Sequence, residues 1–514
     1  MQNPSLKQRS NRTRATKRST QNGNKSSNSS RKPIDDAKKG STPAWIYLIV
    51  GVLVLAGLFY VDNLTHDGLR RKMHSKGGAD GDQFQSAQEA ALFSADSKAA
   101  YQDESLVGDD GRMYHLIYST DCSEFQHWQS YLMFHSALKV KQPGTVTRIA
   151  SGCSDEESII AKKWHKEHIT DVMGKQFLLH LTPHFSGVKD KDGKTVGDYK
   201  FFNKPFGLKY WLEHGIGFED EKNTLLTRED DVVILIDPDM VLLRPITGDF
   251  SNDRDVVIGK RHERNRKYKV EHGSPFAQTY GLGAQWRTFN LHEIAGADSP
   301  AKKVSQSDAG TFYPAGPPYI GTVRDMYAIS QKWSEFVPRV HKEYPYLLAE
   351  MYAFCIAAAH LELPFQLIDS LMISNVGAGG EGWPMIDELP HEDLCEFAKK
   401  PKHEEHPIPS LIHLCQRYSV GDWFFSKRKM PQNFFECEQP LLEEPPSNVV
   451  LESNYKHPPG GARKDIDTKQ AQREGFVVCG VIGAVNDAGR YFKSHHCQNG
   501  NLALETNLNS KLKH

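Results

Sequence analysis

Short apolar runs alternate along the chain with segments whose apolar residues recur at helical spacing. The most informative run, Val232 to Ile236, follows two acids and breaks at Asp237-Pro238-Asp239. An uninterrupted run of this length and β-branched content is typical of a buried strand in a mostly parallel sheet. Because Pro238 cannot donate a ladder hydrogen bond and biases Asp237 toward an extended conformation, we expect the strand to end there.

The same alternation predicts an α/β domain around this strand. Strands at 113–120 and 146–150 enclose a helix at 125–138, which is the β-α-β opening of a nucleotide-binding half. Further strands are predicted at 177–181, 255–259, 364–368 and 411–415, and further helices at 206–212, 326–340 and 347–360. Residues 313–320 contain three prolines and predict a rigid, turn-rich segment. We expect a mostly parallel sheet flanked by helices.

The first residues differ in composition from the rest. Residues 1–43 are rich in Lys and Arg against only Asp35 and Asp36, which predicts a disordered basic tail. The uncharged run 44–61 is long enough to cross a bilayer, and a 43-residue leader is too long for a cleaved signal peptide. Since basic flanks stay in the cytosol, we expect a type II single-pass anchor and no nucleic-acid partner.

These features divide the chain into five parts. They are a tail at 1–43, a transmembrane signal-anchor at 44–64, a lumenal stem at 65–110, the α/β domain at 111–446 and a C-terminal extension at 447–514. All eight cysteines follow the anchor, as expected for an oxidising compartment. Their spacings contain no C-x-x-C pair, which argues against a zinc site. Cys122 with Cys153 and Cys479 with Cys497 are compatible pairings, although spacing does not fix connectivity. Cys355, in an apolar helix, is predicted to be a buried thiol.

Asp237 and Asp239 are candidates for metal binding. They follow a buried strand at its carboxyl end, where open α/β sheets bind their ligands. Carboxylate oxygens suit Mg²⁺ or Mn²⁺, which can in turn hold a diphosphate. The alternative is a polar turn between strands, since Asp and Pro are common turn residues. The apolar runs on both sides favour the metal site.

Two more residues carry both a structural and a functional interpretation. Glu350, within an apolar helix, is either an ion-pair partner or a site residue. His413, flanked by apolar residues on a late strand, is either a satisfied core histidine or a metal ligand. A buried strand that ends in a D-x-D motif, within a lumenal α/β domain, suggests a glycosyltransferase of the GT-A type. In such an enzyme Mn²⁺ acts as a Lewis acid toward the nucleoside diphosphate leaving group. Asp239 is then the direct ligand, with Asp237 near the ribose or a metal-bound water.

The chain also resembles the plant and algal hydroxyproline O-arabinosyltransferases and the related peptidyl-serine α-galactosyltransferases. The resemblance extends from about Tyr114 to Lys429. It is carried by Trp128-Gln129, Gly144 to Arg148, Asn203-Lys204-Pro205, Trp211-Leu212, Ile236 to Met240, Arg244-Pro245, Glu350 to Ala353, Ile412-His413, Gly421-Asp422-Trp423 and Lys427-Arg428.

The resemblance implies a retaining enzyme of the Golgi membrane, or of the endoplasmic reticulum. It would move arabinose or galactose from a UDP-sugar to hydroxyproline or serine hydroxyls of a secretory protein, with Mn²⁺ or Mg²⁺ as cofactor. Implied roles are nucleotide-sugar binding by Arg148, Asn203, Lys204 and Asp237, metal binding by Asp237, Asp239 and His413, and catalysis by Glu350. Front-face attack by the acceptor hydroxyl, assisted by the leaving phosphate, would need no nucleophile from the enzyme. The Asp-Pro-Asp motif is intermediate between the Glu-Pro-Asp of the arabinosyl branch and the Asp-Ala-Asp of the galactosyl branch. The motif therefore does not decide which sugar the enzyme transfers.

Two other classes of function are compatible with parts of the sequence. In a haloacid-dehalogenase-type phosphatase Asp237 would attack phosphorus and Asp239 would act as acid and base. That motif normally opens its domain, whereas roughly 120 residues of α/β pattern precede it here. A non-catalytic lumenal binding protein is the third possibility, and the intact acids and His413 argue against it.

Overall fold

A computed structural model describes residues 99–189, 192–218, 228–256, 266–452 and 468–508. The predicted tail, the predicted span at 44–64 and most of the predicted stem lie outside these ranges. Within them, no helix combines the length and the apolar character needed to cross a membrane.

The described strands and helices alternate through most of this part. The strands are β1 (Tyr114–Asp121), β2 (Thr145–Ser151), β3 (Phe177–Thr182), β4 (Gly187–Lys189), β5 (Thr195–Asp198), β6 (Val232–Ile236), β7 (Met240–Leu242), β8 (Phe276–Thr279), β9 (Ala315–Thr322), β10 (Gln366–Ile368), β11 (Met372–Ile373), β12 (Leu411–His413), β13 (Tyr418–Val420), β14 (Trp423–Phe425), β15 (Leu441–Leu442) and β16 (Leu504–Thr506). The α-helices are α1 (Phe125–Lys139), α2 (Asp155–His165), α3 (Asp171–Met173), α4 (Asn203–His214), α5 (Leu291–Ala295), α6 (Gln306–Phe312), α7 (Val323–Glu343), α8 (Ala349–His360), α9 (Trp383–Asp387), α10 (Leu394–Lys399), α11 (Val449–Glu452) and α12 (Thr468–His496).

Seven strands form the central sheet in the order β10-β8-β9-β6-β1-β2-β3. Neighbouring strands are parallel except at β9, which runs antiparallel to both β6 and β8. Since side chains alternate between the faces of a strand, Leu116 and Tyr118 enter one core while Ile117 enters the other. Helices α1 and α12 cover the first face, and α4, α7 and α8 cover the second. The predicted α/β architecture with a mostly parallel sheet is confirmed.

Most of the predicted elements are confirmed, and one is wrong. It is the turn-rich segment at 313–320, because Ala315–Thr322 forms the fully buried strand β9. Its pairing with β8 shifts register between Tyr319 and Gly316, so Pro317 and Pro318 fall in a bulge where no ladder donor is needed. Pairing with β6 begins only at Tyr319.

The strand predicted at 255–259 is described only at its first two residues. Asp255 and Val256 lie in a turn, where the Asp255 N–H donates to the Asp253 carboxylate at 2.9 Å and the Val256 N–H to the Asp253 carbonyl at 3.2 Å. Backbone donors used in this turn are not available to a ladder. Residues 257–259 lie outside the described ranges.

Three disulfides connect Cys122 with Cys153, Cys395 with Cys479 and Cys437 with Cys497. The first pairing was compatible with the sequence; the suggested Cys479–Cys497 pairing is wrong. Cys479 lies within α12 and Cys497 just beyond its end, so about 27 Å of helix separates them. Bridged Cα atoms lie within about 7 Å. Cys355 is a buried free thiol, as predicted, and Cys415 is an exposed one.

Candidate metal and active site

The two carboxylates of the D-x-D motif lie in the turn between β6 and β7. The five residues of β6 are all buried, and the chain leaves the central sheet at Asp237-Pro238. It then forms β7, which pairs antiparallel with β12 in a second, three-stranded sheet. In this register Met240 faces His413, and the Leu414 N–H donates to the Asp239 carbonyl at 2.8 Å. The pairing therefore brings His413 beside both acids.

Asp237, Asp239 and His413 present three donor atoms to one point. The His413 Nε2 lies 3.3 Å from Asp239 Oδ1 and 3.7 Å from Asp237 Oδ2, and the three possible ligand atoms lie within 4.8 Å of one another. Neighbouring ligands of an octahedral ion with bonds of about 2.1 Å lie about 3.0 Å apart. This donor set therefore fits a divalent cation.

Lys427, which was not predicted from the sequence as a site residue, forms an ion pair with Asp239 Oδ2. It opens a short 3-10 helix, Lys427–Lys429, after the β13–β14 hairpin has returned the chain toward the acids. Burial raises the pKa of Asp239, but the charges of Lys427 and His413 outweigh it and hold that pKa well below its usual value. Asp239 is therefore a carboxylate. The only feature of the sequence that pointed to Lys427 was its position among the residues that carry the family resemblance.

A second group of charges is built on the first turns of two helices. Helix α4 begins at Asn203, with Pro205 in its first turn, and α8 begins at Ala349. The Lys204 Nζ lies 2.7 Å from Asp237 Oδ1 and 3.0 Å from Glu350 Oε1. Lys204 therefore joins Glu350 to the metal-site carboxylate.

The charges in this group are unequal. Burial lowers the pKa of Lys204, but the carboxylates of Asp237 and Glu350 outweigh it and raise that pKa above its usual value. Burial also raises the pKa of Glu350; attraction to Lys204 opposes this rise and repulsion from Asp237 adds to it. Lys204 supplies one positive charge between two acidic groups, and the His413 imidazole lies 3.7 Å from Asp237 Oδ2 on the other side. A cationic ligand or a bound cation would relieve the excess negative charge.

The structure brings together five of the residues assigned from sequence, namely Lys204, Asp237, Asp239, Glu350 and His413. Arg148 lies within β2, where its Nε donates to Thr120 Oγ1 at 3.0 Å and its Nη2 to the Asp121 carbonyl at 3.3 Å. Arg148 thus braces the end of β1, and its described contacts do not reach the D-x-D acids. The Asn203 carbonyl oxygen Oδ1 accepts from Ser186 Oγ at 3.2 Å. Nucleotide binding by Arg148 and Asn203 stays a prediction.

The fold and these contacts define an α/β protein with an acidic group that could hold a metal ion at the carboxyl edge of its main sheet. The chain is similar to two curated proteins, both named peptidyl serine alpha-galactosyltransferase. The one from Arabidopsis thaliana is 24% identical over 361 residues, which cover 66% of this chain and 35% of that protein. The one from Chlamydomonas reinhardtii is 30% identical over 150 residues, which cover 29% of this chain and 17% of that protein.

The chain therefore matches about a third or less of the length of these relatives. No protein-family model matches it. The resemblance inferred from the motifs is confirmed as a similarity in sequence, and both relatives carry the name of its galactosyl branch.

Proposed function

We propose that this chain is a metal-dependent, retaining glycosyltransferase of the GT-A type. It moves galactose from a UDP-sugar to the hydroxyl of a serine in a secretory protein. The observation that carries the proposal is the Asp237, Asp239 and His413 donor set at the end of β6, in a chain similar to two peptidyl serine alpha-galactosyltransferases. Arabinose as donor and hydroxyproline as acceptor are the alternatives within the same reaction class.

Asp237, Asp239 and His413 would hold Mn²⁺ or Mg²⁺ in this enzyme. When bound, such a cation neutralises the charge that develops on the departing diphosphate. Lys427, already paired with Asp239, is a flexible ammonium beside the same place and would donate hydrogen bonds to phosphate oxygens. Placing these charges before the reaction stabilises the leaving group without further reorganisation.

Lys204 and Glu350 would lie on the sugar side of the diphosphate. Glu350 is buried and is linked to Asp237 through their shared ion-pair partner Lys204. Its carboxyl group is therefore close to any nucleotide-sugar held by the D-x-D motif. A retaining reaction then follows one of two routes. In the first, the Glu350 carboxylate would attack the anomeric carbon as the bond to the UDP oxygen breaks, and the serine hydroxyl would then displace Glu350 and pass its proton to the freed carboxylate. In the second, the serine hydroxyl would attack from the face that UDP leaves and pass its proton to the departing phosphate oxygen, while Glu350 orients the donor.

The proposed location is the Golgi membrane, with the catalytic domain in the lumen behind a signal-anchor at 44–64. Three disulfides support an oxidising compartment. The anchor itself is inferred from the sequence alone.

The test is an assay of UDP release by the purified full-length protein in detergent. Mn²⁺, a panel of UDP-sugars and serine- or hydroxyproline-containing peptides are combined, and peptide mass identifies the transferred sugar. We expect transfer from UDP-galactose, a loss of at least 100-fold in Asp239→Ala, and wild-type rates in the exposed control Asp298→Ala.

Other outcomes assign the protein elsewhere. Transfer from UDP-arabinose alone would keep the reaction class and change the donor. No release from any UDP-sugar, with hydrolysis of a phosphate ester that depends on Asp237, would favour the phosphatase class. Neither activity would favour a binding protein.

A further inference from the structure

Three large apolar side chains are exposed beside the candidate site. Phe201 is 37% exposed, Tyr346 is 48% and Leu347 is 41%, whereas side chains of this kind are mostly buried. We call these three residues the rim. Phe201 lies in the 3-10 turn that leads into α4, and Tyr346 and Leu347 lie between α7 and α8.

The rim is continuous with the site along both chain segments. Phe201 precedes Lys204 by three residues, and Leu347 precedes Glu350 by three residues. Three residues span at most about 11 Å. The Cα atoms of Phe201 and Leu347 therefore lie within about 11 Å of those of Lys204 and Glu350, the two residues whose ion pair joins the rim segments at the charged centre.

Tyr199 fixes the two halves of the rim to one another. Its ring packs against Phe201 with a centroid separation of 5.2 Å. Its hydroxyl donates to the Leu347 carbonyl at 3.0 Å and accepts from the Glu350 N–H at 3.2 Å. The ring of Tyr346 also packs against Tyr344 at 4.9 Å. The exposed surface is therefore held in one arrangement with Glu350, as a preorganised binding surface requires.

The chemistry of the rim matches the acceptor and not the donor. A nucleotide-sugar carries its charge on the diphosphate and would find cations at Lys204, at Lys427 and at an ion held by the Asp237, Asp239 and His413 donor set. The rim presents two aromatic rings and a leucine. Aromatic clusters bind extended peptides, above all those with proline, which lose little conformational entropy on binding.

We propose that the rim binds the acceptor polypeptide in an extended conformation, by contact with apolar residues that flank the acceptor serine. The proposal rests on the proposed function for the identity of the reaction, but it makes a separate statement about binding. The peptide would cross the starts of α4 and α8 and present its hydroxyl toward Glu350.

Direct binding separates this proposal from the proposed function. Fluorescence anisotropy of the full-length protein would use a labelled peptide with one serine between prolines, and the same peptide with glycines in their place. We expect the proline peptide to bind at least tenfold more tightly. Tyr346→Ser with Leu347→Ser should weaken it by at least tenfold, while Tyr346→Phe, which keeps the ring, and the exposed control Ile160→Ser should bind as wild type.

The outcomes are distinct. Wild-type binding by the Tyr346→Ser, Leu347→Ser protein, or equal weakening in Ile160→Ser, would overturn the proposal. So would equal affinity for the proline and glycine peptides, which would leave the rim to a different partner such as a second protein or a membrane. Rim-dependent peptide binding without sugar transfer would support the rim and reject the transferase.

Discussion

At the scale of single residues, the function of His413 is open to a direct measurement. Removal of an outer-shell partner of a metal site costs about 10–100-fold in affinity, and removal of a ligand should cost at least that. We therefore expect His413→Ala to weaken Mn²⁺ binding by tenfold or more in calorimetric titration. His292, an exposed histidine on α5, is the control, and His292→Ala should bind Mn²⁺ as wild type. If His413→Ala bound Mn²⁺ with the affinity of the wild type, His413 would have a structural role and would not be a metal ligand.

Lys204 supports a second prediction, about stability. Its side chain is 11% exposed and that of Glu350 is 3% exposed, so Lys204→Met removes a buried ammonium that pairs with both Asp237 and Glu350. Breaking a buried ion pair in this way costs about 3–5 kcal/mol. We expect a loss of that size in urea unfolding at neutral pH. Lys209→Met on the same helix removes only a half-exposed pair with Glu213 at 3.7 Å and should cost less than about 1 kcal/mol.

The double variant Lys204→Met, Glu350→Gln tests the cause of that loss. If repulsion between the two acids is the reason, removing the Glu350 charge should recover part of the stability. A double variant no more stable than Lys204→Met would show that lost packing, and not charge, is responsible.

The sequence predicted the centre of the site better than its surroundings. The D-x-D acids could be placed because a buried strand and a proline define where a chain leaves a sheet. His413 could be proposed because it ends a late apolar strand. Lys427 could not, since it reaches Asp239 from 188 residues away through a hairpin whose return direction no local pattern specifies.

At the scale of elements, α12 supports a prediction of pH dependence. Glu474 on this helix accepts from the Ser419 N–H at 2.9 Å, and burial raises its pKa to about 7. A carboxyl group whose pKa is higher in the folded state favours folding at low pH and loses that contribution as pH rises from about 4.5 through 7. Above pH 7 its ionised form opposes folding. Glu474→Gln, which can keep the hydrogen bond, should therefore raise the melting temperature more at pH 8 than at pH 5.

The exposed Glu505 provides the matched control. Glu505→Gln should give the same small change in melting temperature at both pH values. A Glu474→Gln protein whose melting temperature shifts equally at pH 5 and pH 8 would contradict the account of a buried carboxyl group.

Element prediction failed where tertiary contacts overrode local preference. The prolines of β9 favour turns, yet a bulge against β8 lets Pro317 and Pro318 sit inside a sheet without donating. The predicted C-terminal extension 447–514 contains α12, whose apolar side chains enter the same core as β1 and β6. Composition at 440–475 did not indicate this, because the helix becomes apolar only after residue 475.

At the scale of the whole molecule, disulfides tie α12 to the rest of the domain. Cys437 and Cys497 enclose a separation of 60 residues, for which the chain-entropy estimate gives about 4 kcal/mol. We expect the double variant Cys437→Ser, Cys497→Ser to lose about that much stability in urea unfolding. Cys415→Ser, at an exposed free thiol, should change stability by less than about 0.5 kcal/mol. An unchanged unfolding midpoint in the double variant would show that packing alone holds the helix.

The pairing of β7 with β12 also has a consequence for the time at which the site forms during synthesis. Asp239 and Lys427 are 188 residues apart, so at about 5–20 residues per second the ribosome takes roughly 10–40 s to pass from one to the other. Throughout that interval the nascent chain carries the D-x-D carboxylates without Lys427, and for most of it also without His413. The candidate cation site is therefore assembled late, and a chain stopped before residue 413 would contain all seven strands of the central sheet but only two of the three proposed ligands.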